Sequence, residues 1–324
     1  MKAAIRDHAG LAFADLPRPD PGPDEVLVRV RALALNRADL SVLAGQMHGA
    51  IGGPGTVLGM EWAGEVVAVG ANVTGFAAGD RVAGSGARAF AEYAVTDHGR
   101  VLKLPSALGF EQGVTLPVAL QTMHDAIVTR GRLRAGESVL IQGASSGVGL
   151  AGLRIARRLG AALVIGSSTN PERRARLHES GAHLAIDSSA PDWPRQVQEA
   201  TGGRGVDLVV DMLSGPTVNG SLAATAVLGR IVNVGRLAGK VAEMDFDLHA
   251  FKRIDYIGVT FRTRSVQEVR EIGRRMQADL GPAIADGSLV LPIAATFPFE
   301  RLGDAFTMMA ANRHFGKIVV TIGQ

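Results

Sequence analysis

The stretch Ser138–Gly160, SVLIQGASSGVGLAGLRIARRLG, narrows the folds open to this chain more than any other. Ser138–Gln142 reads as a short buried strand, and Gly143–Gly149 as a turn built from small residues. Leu150, Leu153, Ile155, Ala156 and Leu159 then recur at helical spacing, with Arg154, Arg157 and Arg158 mainly on another face. Gly160 ends the helix, since glycine tolerates the positive φ of a helix stop. A strand that turns tightly into a helix aims the unpaired N–H groups of the first helical turn at one point, together with the positive end of the helix dipole. A pyrophosphate suits that point. The turn must then carry nothing larger than Ala or Ser, or the phosphate is blocked.

Set against the spacing G-x-G-x-x-G and aligned on its last glycine, the turn has Ala144 and Ser146 at the first two places and Gly149 at the third. Alone, that match also describes a β-to-α turn whose glycines serve packing only. The context favours a dinucleotide site, because a second strand, Ala162–Gly166, completes a βαβ unit. Ala144, Ser145, Ser146, Gly147, Val148 and Gly149 are the expected cofactor contacts. The second strand's end sets the choice of cofactor. NAD sites place a carboxylate there for the ribose 2′-hydroxyl, whereas this chain reads Gly166-Ser-Ser-Thr-Asn-Pro-Glu-Arg-Arg. The hydroxyls of Ser167, Ser168 and Thr169, with Arg173 and its neighbour Arg174, suit a 2′-phosphate through charge-assisted bonds. NADPH is the expected cofactor; the competing reading makes both arginines solvated first-turn helix residues.

Cysteine is absent, which removes disulfides, thiolate zinc sites and cysteine nucleophiles together. The formal charge is +3 and the pI about 9.6, but only five of the 34 cationic side chains are lysines and no basic block occurs. Aromatic residues make up 5 %, too few for the stacking rings that a nucleic-acid surface interleaves with basic ones. No nucleic-acid partner is expected. Lys2, Arg6 and Asp7 interrupt the first apolar run and no run reaches membrane length. A cytoplasmic protein without a membrane partner is expected.

At 324 residues, two domains are the default. Residues 1–120 read as β-rich. Met1–Ile5 and Leu11–Asp15 suggest a hairpin, and Glu25–Leu35 alternates with Val26, Val28 and Val30 on one face and Leu27, Arg29 and Arg31 on the other. Asn36–Asp39 starts a short helix and Gly49–Pro54 is a loop; Gly59–Gly70, Gly79–Val82 and Ala89–Val95 add strands. Short strands joined by glycine turns indicate a partly closed barrel. Between 121 and 260, candidate strands Val139–Gln142, Leu163–Gly166, Leu184–Ile186, Leu208–Asp211, Arg230–Val234 and Asp255–Thr260 alternate with helices, the pattern of a doubly wound parallel sheet. Residues 261–324, with a helix over Ser265–Asp279, a run Leu289–Pro298 and a last strand Gly316–Ile322, are too short to fold alone and are expected to return to the first domain.

The order of motifs resembles the zinc-free quinone oxidoreductase branch of the medium-chain dehydrogenase/reductase superfamily. The likeness rests on Leu35-Asn36 with Asp39, GMEWAG at Gly59–Gly64, GDRV at Gly79–Val82 and FAEY at Phe90–Tyr93. It continues through Gly136-Glu137 with Val139–Ile141, Gly143–Gly149, GVDLVVD at Gly205–Asp211, GRI at Gly229–Ile231 and GKIV at Gly316–Val319. The resemblance implies an α/β protein with a doubly wound Rossmann domain and a β-rich, GroES-like barrel as catalytic domain. It further implies a homodimer, paired through an edge of the nucleotide-domain sheet near Asp255–Thr260. Zinc-containing relatives carry Cys, His and Cys where this chain has Asn36, Met60 and Val118, which implies no metal.

An ordinary ketone needs a metal or an acid to take the charge that develops on oxygen. Quinones and α,β-unsaturated carbonyls delocalise that charge, so hydride transfer to them needs mainly positioning and a few hydrogen-bond donors. By the resemblance, Asn36 and Thr122 are the catalytic candidates, and Asn233, Gly235, Phe261 and Arg262 join the cofactor site. Asn36 could instead cap a strand end, and Thr122 could bond its own helical turn. Asp39 is expected to fix its turn. Tyrosines common after the asparagine are replaced by Ser41 and Met47, and the tyrosine over the cofactor adenine by Ser188. No proton donor is evident beyond His48, and solvent is the alternative. The expected activity is NADPH-dependent reduction of a quinone or enone; the alternatives are an enoyl-thioester reductase and a redox-silent NADPH-binding structural or sensor protein.

Overall fold

The computed structural model describes residues 1–49 and 51–323; Ala50 of the expected Gly49–Pro54 loop and Gln324 lie outside them. The chain divides into two compact units, residues 1–121 with 261–324 and residues 122–260.

In the first unit β1 (Lys2–Arg6) and β2 (Leu11–Asp15) form the expected antiparallel hairpin, and β4 (Thr56–Val57) lines the other side of β1. A seven-stranded sheet is built around β3 (Glu25–Ala34), which pairs with β5 (Glu61–Val69) and β7 (Tyr93–Asp97). β6 (Arg81–Ser85) and β8 (Val101–Lys103) extend it beyond β5. Val26, Val28 and Val30 are buried and Arg29 is exposed, but Leu27 is buried as well. A bulge between Leu27 and Val28 breaks the alternation that assigned Leu27 to the outer face. Trp62, Phe90, Leu33 and Leu58 are fully buried in the core of this unit. Gly59 makes that packing possible: its φ is +91°, and a Cβ there would lie 2.0 Å from the Phe90 ring.

The second unit holds β9 (Ser138–Gln142), β10 (Leu163–Ser167), β11 (Leu184–Ile186), β12 (Val206–Asp211), β13 (Thr225–Asn233) and β14 (Asp255–Gly258). All pair in parallel, in the spatial order β11-β10-β9-β12-β13-β14. Chain direction across the sheet reverses between β9 and β12, which is the switch point of a doubly wound sheet. β13 starts five residues before the expected Arg230, because Thr225 pairs with Val206 and an irregularity in register follows. β14 ends at Gly258 rather than Thr260. Ahead of β9, the helix Pro117–His124 runs into a π-helical turn, Asp125–Arg130, that sequence periodicity does not signal.

The tail supplies the helix Val266–Ala285 and then β15 (Ile293–Pro298) and β16 (Lys317–Thr321), with β16 antiparallel to β3. The helix outruns its expected end at Asp279 and passes through Pro282, since Leu280, Ala283 and Ile284 are buried on one face. Among the described residues no helix is long and apolar enough to cross a membrane.

Candidate functional site

The turn after β9 is built as the spacing requires. All five residues of β9 are buried, and Gly143 takes φ +71°. The helix Gly147–Arg158 starts with Ser146 as N-cap, its hydroxyl accepting the Gly149 N–H at 3.1 Å. The N–H groups of Gly147 and Val148 have no acceptor within the helix. A Cβ on Gly149 would lie 2.6 Å from the Ala144 Cα, so only glycine lets the helix sit this close to the turn. A small-residue cradle of this kind fits a dinucleotide diphosphate.

At the end of β10 the candidate side chains separate. Ser167 is fully buried, donates to the Gln142 Oε1 at 2.5 Å and accepts the Gly143 N–H at 2.9 Å. Its hydroxyl braces the turn from within and presents nothing to a ribose, contrary to the expectation for it. Ser168 is also buried and bonds Ser145 Oγ at 3.1 Å, tying β10 to the turn. Thr169 is exposed. Asn170 caps the helix Pro171–Ala175 by accepting the Arg173 N–H at 2.8 Å. Arg174 is held by the Ser168 carbonyl and by Asp187, each at 2.9 Å. Arg173 is half-buried, and burial pulls its pKa below the ordinary guanidinium value.

A second polar group gathers at the ends of β12, β13 and β14. Asn233 donates to Ser214 Oγ and bonds the Tyr256 hydroxyl, and Ser214 donates to the Gly235 carbonyl at 2.8 Å. Gly235 lies against Met212, where a Cβ would come within 2.6 Å of the Met212 carbonyl oxygen. Asp211 Oδ1 accepts the N–H groups of Leu213 and Ser214 at 2.8 and 3.0 Å. Its Oδ2 is buried without a partner among the described residues, and burial raises its pKa. Asn233 and Gly235 were expected here; Asp211, Ser214 and Tyr256 were not. Ser214 betrays itself only through its backbone, a non-glycine residue at φ +55°.

The first unit carries a different kind of site. The ladders β3–β5 and β3–β16 bring the last residues of β3 beside the first of β5 and β16. Asn36, Glu61 and Lys317 therefore meet at one end of the sheet. Glu61 is 0 % exposed and Lys317 4 %, and their charges lie 2.6 Å apart. The Asn36 carboxamide bridges them: Nδ2 donates to Glu61 Oε2 at 3.0 Å, and Oδ1 accepts from Lys317 Nζ at 2.9 Å. The second Glu61 oxygen accepts the Val118 N–H at 2.7 Å. Asn36 stands at the N-cap of the helix Arg37–Leu43. Asp39 accepts the Asn36 N–H at 2.7 Å, as expected for a turn-fixing residue. Its other oxygen is buried without a partner among the described residues, and burial raises its pKa to about 7 against the pull of Lys317.

The other candidates are dispersed. Thr122 is half-buried on the helix that supplies the Val118 N–H. Phe261 and Arg262 fall in the first unit, where Arg262 lies against the His48–Gly49 loop and Phe261 under the Arg264 guanidinium at 5.7 Å. Burial and the Arg262 charge lower the His48 pKa. Glu61 and Lys317 went unassigned in the sequence, although a charged residue inside an apolar strand segment is the signal that marks them.

The positions where zinc-containing relatives carry ligands thus hold an amide, a thioether and an apolar side chain. Of the two carboxylates beside them, Glu61 has both oxygens engaged and an ammonium at 2.6 Å, and Asp39 holds the Asn36 N–H with its pKa raised by burial to about 7. These residues do not fit Zn²⁺, which takes thiolate, imidazole or free carboxylate. Among the described residues no group of three or more His, Asp or Glu could hold a metal ion.

A doubly wound sheet with a diphosphate cradle at its first crossing, carried in one chain with a β-rich unit that has a sealed polar cluster, defines a two-domain nucleotide-dependent oxidoreductase. Residues 22–106 match the alcohol dehydrogenase GroES-like domain family, and residues 147–278 match the family described as zinc-binding dehydrogenase. The chain belongs to the medium-chain dehydrogenase/reductase superfamily. A mycocerosic acid synthase-like polyketide synthase of Mycolicibacterium smegmatis is 30 % identical over 327 residues, covering 99 % of this chain and 15 % of that protein. The chain spans only 12–15 % of the length of such curated relatives. Among solved structures, a quinone oxidoreductase of Pseudomonas syringae pv. tomato is 28 % identical with a TM-score of 0.85, over 99 % of each chain. Mycobacterial Rv1454c complexed with NADPH and the CurK enoyl reductase are each 26 % identical with a TM-score of 0.87, over 99 % of each chain.

Proposed function

We propose that this protein is an NADPH-dependent oxidoreductase that delivers hydride, without a metal, to a quinone or an α,β-unsaturated carbonyl. The observation that carries this reading is the set Asn36, Met60 and Val118 at the positions where zinc-containing relatives carry ligands, with the Asn36 amide and the Val118 N–H both bound to the buried Glu61–Lys317 pair. A site without a Lewis acid favours acceptors that spread the incoming charge over a conjugated system. NADPH, when bound, supplies the hydride. On this reading the Gly147 and Val148 N–H groups hold the diphosphate, and Arg173 with Thr169 pairs the 2′-phosphate. No carboxylate stands at the end of β10 to repel that phosphate, and Rv1454c supports the same choice of cofactor. Asn36 donates an N–H to the oxygen that gathers charge, and Thr122 helps to place the nicotinamide. The working form is a homodimer through β14, a sheet edge flanked by exposed Phe246 and Phe251.

A second reading, reduction of an enoyl thioester, is favoured by the CurK enoyl reductase and the polyketide synthase relatives. Against it, the place where a tyrosine donor is expected holds Met47, which is 60 % exposed. Following NADPH oxidation with 9,10-phenanthrenequinone, 1,4-benzoquinone, a simple enone and crotonyl-CoA separates these readings. Turnover with quinones or the enone supports the first, turnover confined to crotonyl-CoA supports the second, and tight NADPH binding with no turnover on any acceptor leaves a redox-silent binding protein.

A further inference from the structure

We propose that Lys317 is the positioning residue of the hydride-transfer site: locked onto Glu61, it fixes the Asn36 carboxamide so that an N–H, and not the carbonyl oxygen, is left for the substrate. The inference rests on the functional reading above and adds a residue that neither the sequence motifs nor the relatives assign.

An asparagine side chain has two nearly isosteric ends, and its orientation is set only by what surrounds it. Here two charges set it together. The oxygen end meets the Lys317 ammonium at 2.9 Å and the nitrogen end meets the Glu61 carboxylate at 3.0 Å. Turning the amide over would point its oxygen at the carboxylate and its N–H groups at the ammonium, making both contacts repulsive. Neither charge can relax into water, because both side chains are almost wholly buried. Glu61 cannot swing away either, since its other oxygen holds the Val118 N–H. The second N–H reaches the Ala34 carbonyl at 3.4 Å, a long contact that a ligand oxygen can replace. Asn36 is half-buried, so that N–H is the part of the cluster able to meet a ligand. A donor held in advance, in a low-dielectric setting, is what a developing oxyanion needs.

Lys317→Met alone strands the Glu61 carboxylate and risks misfolding, so the test uses the neutral pair Glu61→Gln with Lys317→Met. Gln keeps an acceptor for Val118, and Met fills the volume of the lysine stem. The double variant is expected to keep the wild-type melting temperature within a few degrees and to bind NADPH equally, while kcat/KM for the quinone falls on the order of tenfold, mostly in kcat. In an Asn36→Ala background the same pair of changes is expected to alter kcat/KM less than twofold, because Lys317 acts only through Asn36. An equal loss in both backgrounds, or wild-type turnover in a folded double variant, overturns the proposal. The Asn36 side-chain amide, followed by NMR in the full chain, gives a readout independent of any substrate. Its protons are expected to exchange slowly in the wild type and at least tenfold faster in the double variant; equal exchange rates overturn the proposal even if no quinone or enone is turned over. Slow exchange together with an absence of turnover would leave the positioning intact and remove the functional reading instead.

Discussion

The two units solve the problem of a polar site in opposite ways. The turn after β9 is made of backbone and small side chains, with Gly149 pressed on Ala144 and Ser167 bracing the strand end from inside. It works by leaving room. The cluster at Asn36, Glu61 and Lys317 joins a half-buried amide to two charged side chains buried in an apolar sheet and bonded to each other. It works by filling room. A backbone site tolerates exchange of its surface residues but not an added methyl group; a charge-built site tolerates isosteres but not the loss of one partner.

The largest effect expected from this difference is on folding. Lys317→Met, which leaves the Glu61 carboxylate buried and alone, should lower unfolding free energy by about 3–5 kcal/mol, the range for breaking one side of a buried pair. Urea denaturation at neutral pH measures it, and a loss below about 1 kcal/mol would mean that the pair behaves like a surface one. Next comes Asp39, whose pKa rises from 3.8 to about 7. A carboxyl with a higher pKa when folded keeps a proton that the unfolded chain has released. Stability contributed by the neutral form is complete below about pH 4, declines as pH rises toward 7, and changes little above that. Asp39→Asn retains an acceptor for the Asn36 N–H and should remove this decline, worth roughly 2–4 kcal/mol across the window. Parallel slopes for the two proteins between pH 4 and 7 would contradict the assignment.

The backbone-built site gives smaller effects. Gly149→Ala puts a Cβ against the Ala144 backbone and should cost about 1–3 kcal/mol in stability, with NADPH affinity falling as well. Retained affinity in a calorimetric titration would mean that the helix need not sit so close. Arg173→Ala should weaken NADPH binding by about 1–3 kcal/mol, the range for a charge-assisted bond, and leave NADH nearly unaffected. Equal losses for both cofactors would move the 2′-phosphate away from Arg173.

The same contrast explains what could be read from the sequence. The βαβ unit lies in one short window, where hydrophobic period, small residues and the Gly160 stop all agree, and the six parallel strands follow from repeats of that pattern. The barrel cluster is assembled from positions 25 and 256 residues apart, and no local pattern announces that Glu61 and Lys317 share a bond. Asn36 was legible only through its motif. Ser167 was misread for a related reason: a hydroxyl at a strand end looks exposed in sequence, whereas the pleat turns this one inward onto Gln142. Ser214 and Tyr256 went unseen because their grouping with Asn233 depends on the register of β12, β13 and β14.

The most direct measurement is the rate of NADPH oxidation by 9,10-phenanthrenequinone, in protein treated with a strong chelator and then assayed with and without added Zn²⁺. The expected result is steady turnover that chelation does not reduce and Zn²⁺ does not raise, with NADPH preferred over NADH. Turnover that disappears on chelation and returns with Zn²⁺ would contradict metal-free hydride transfer.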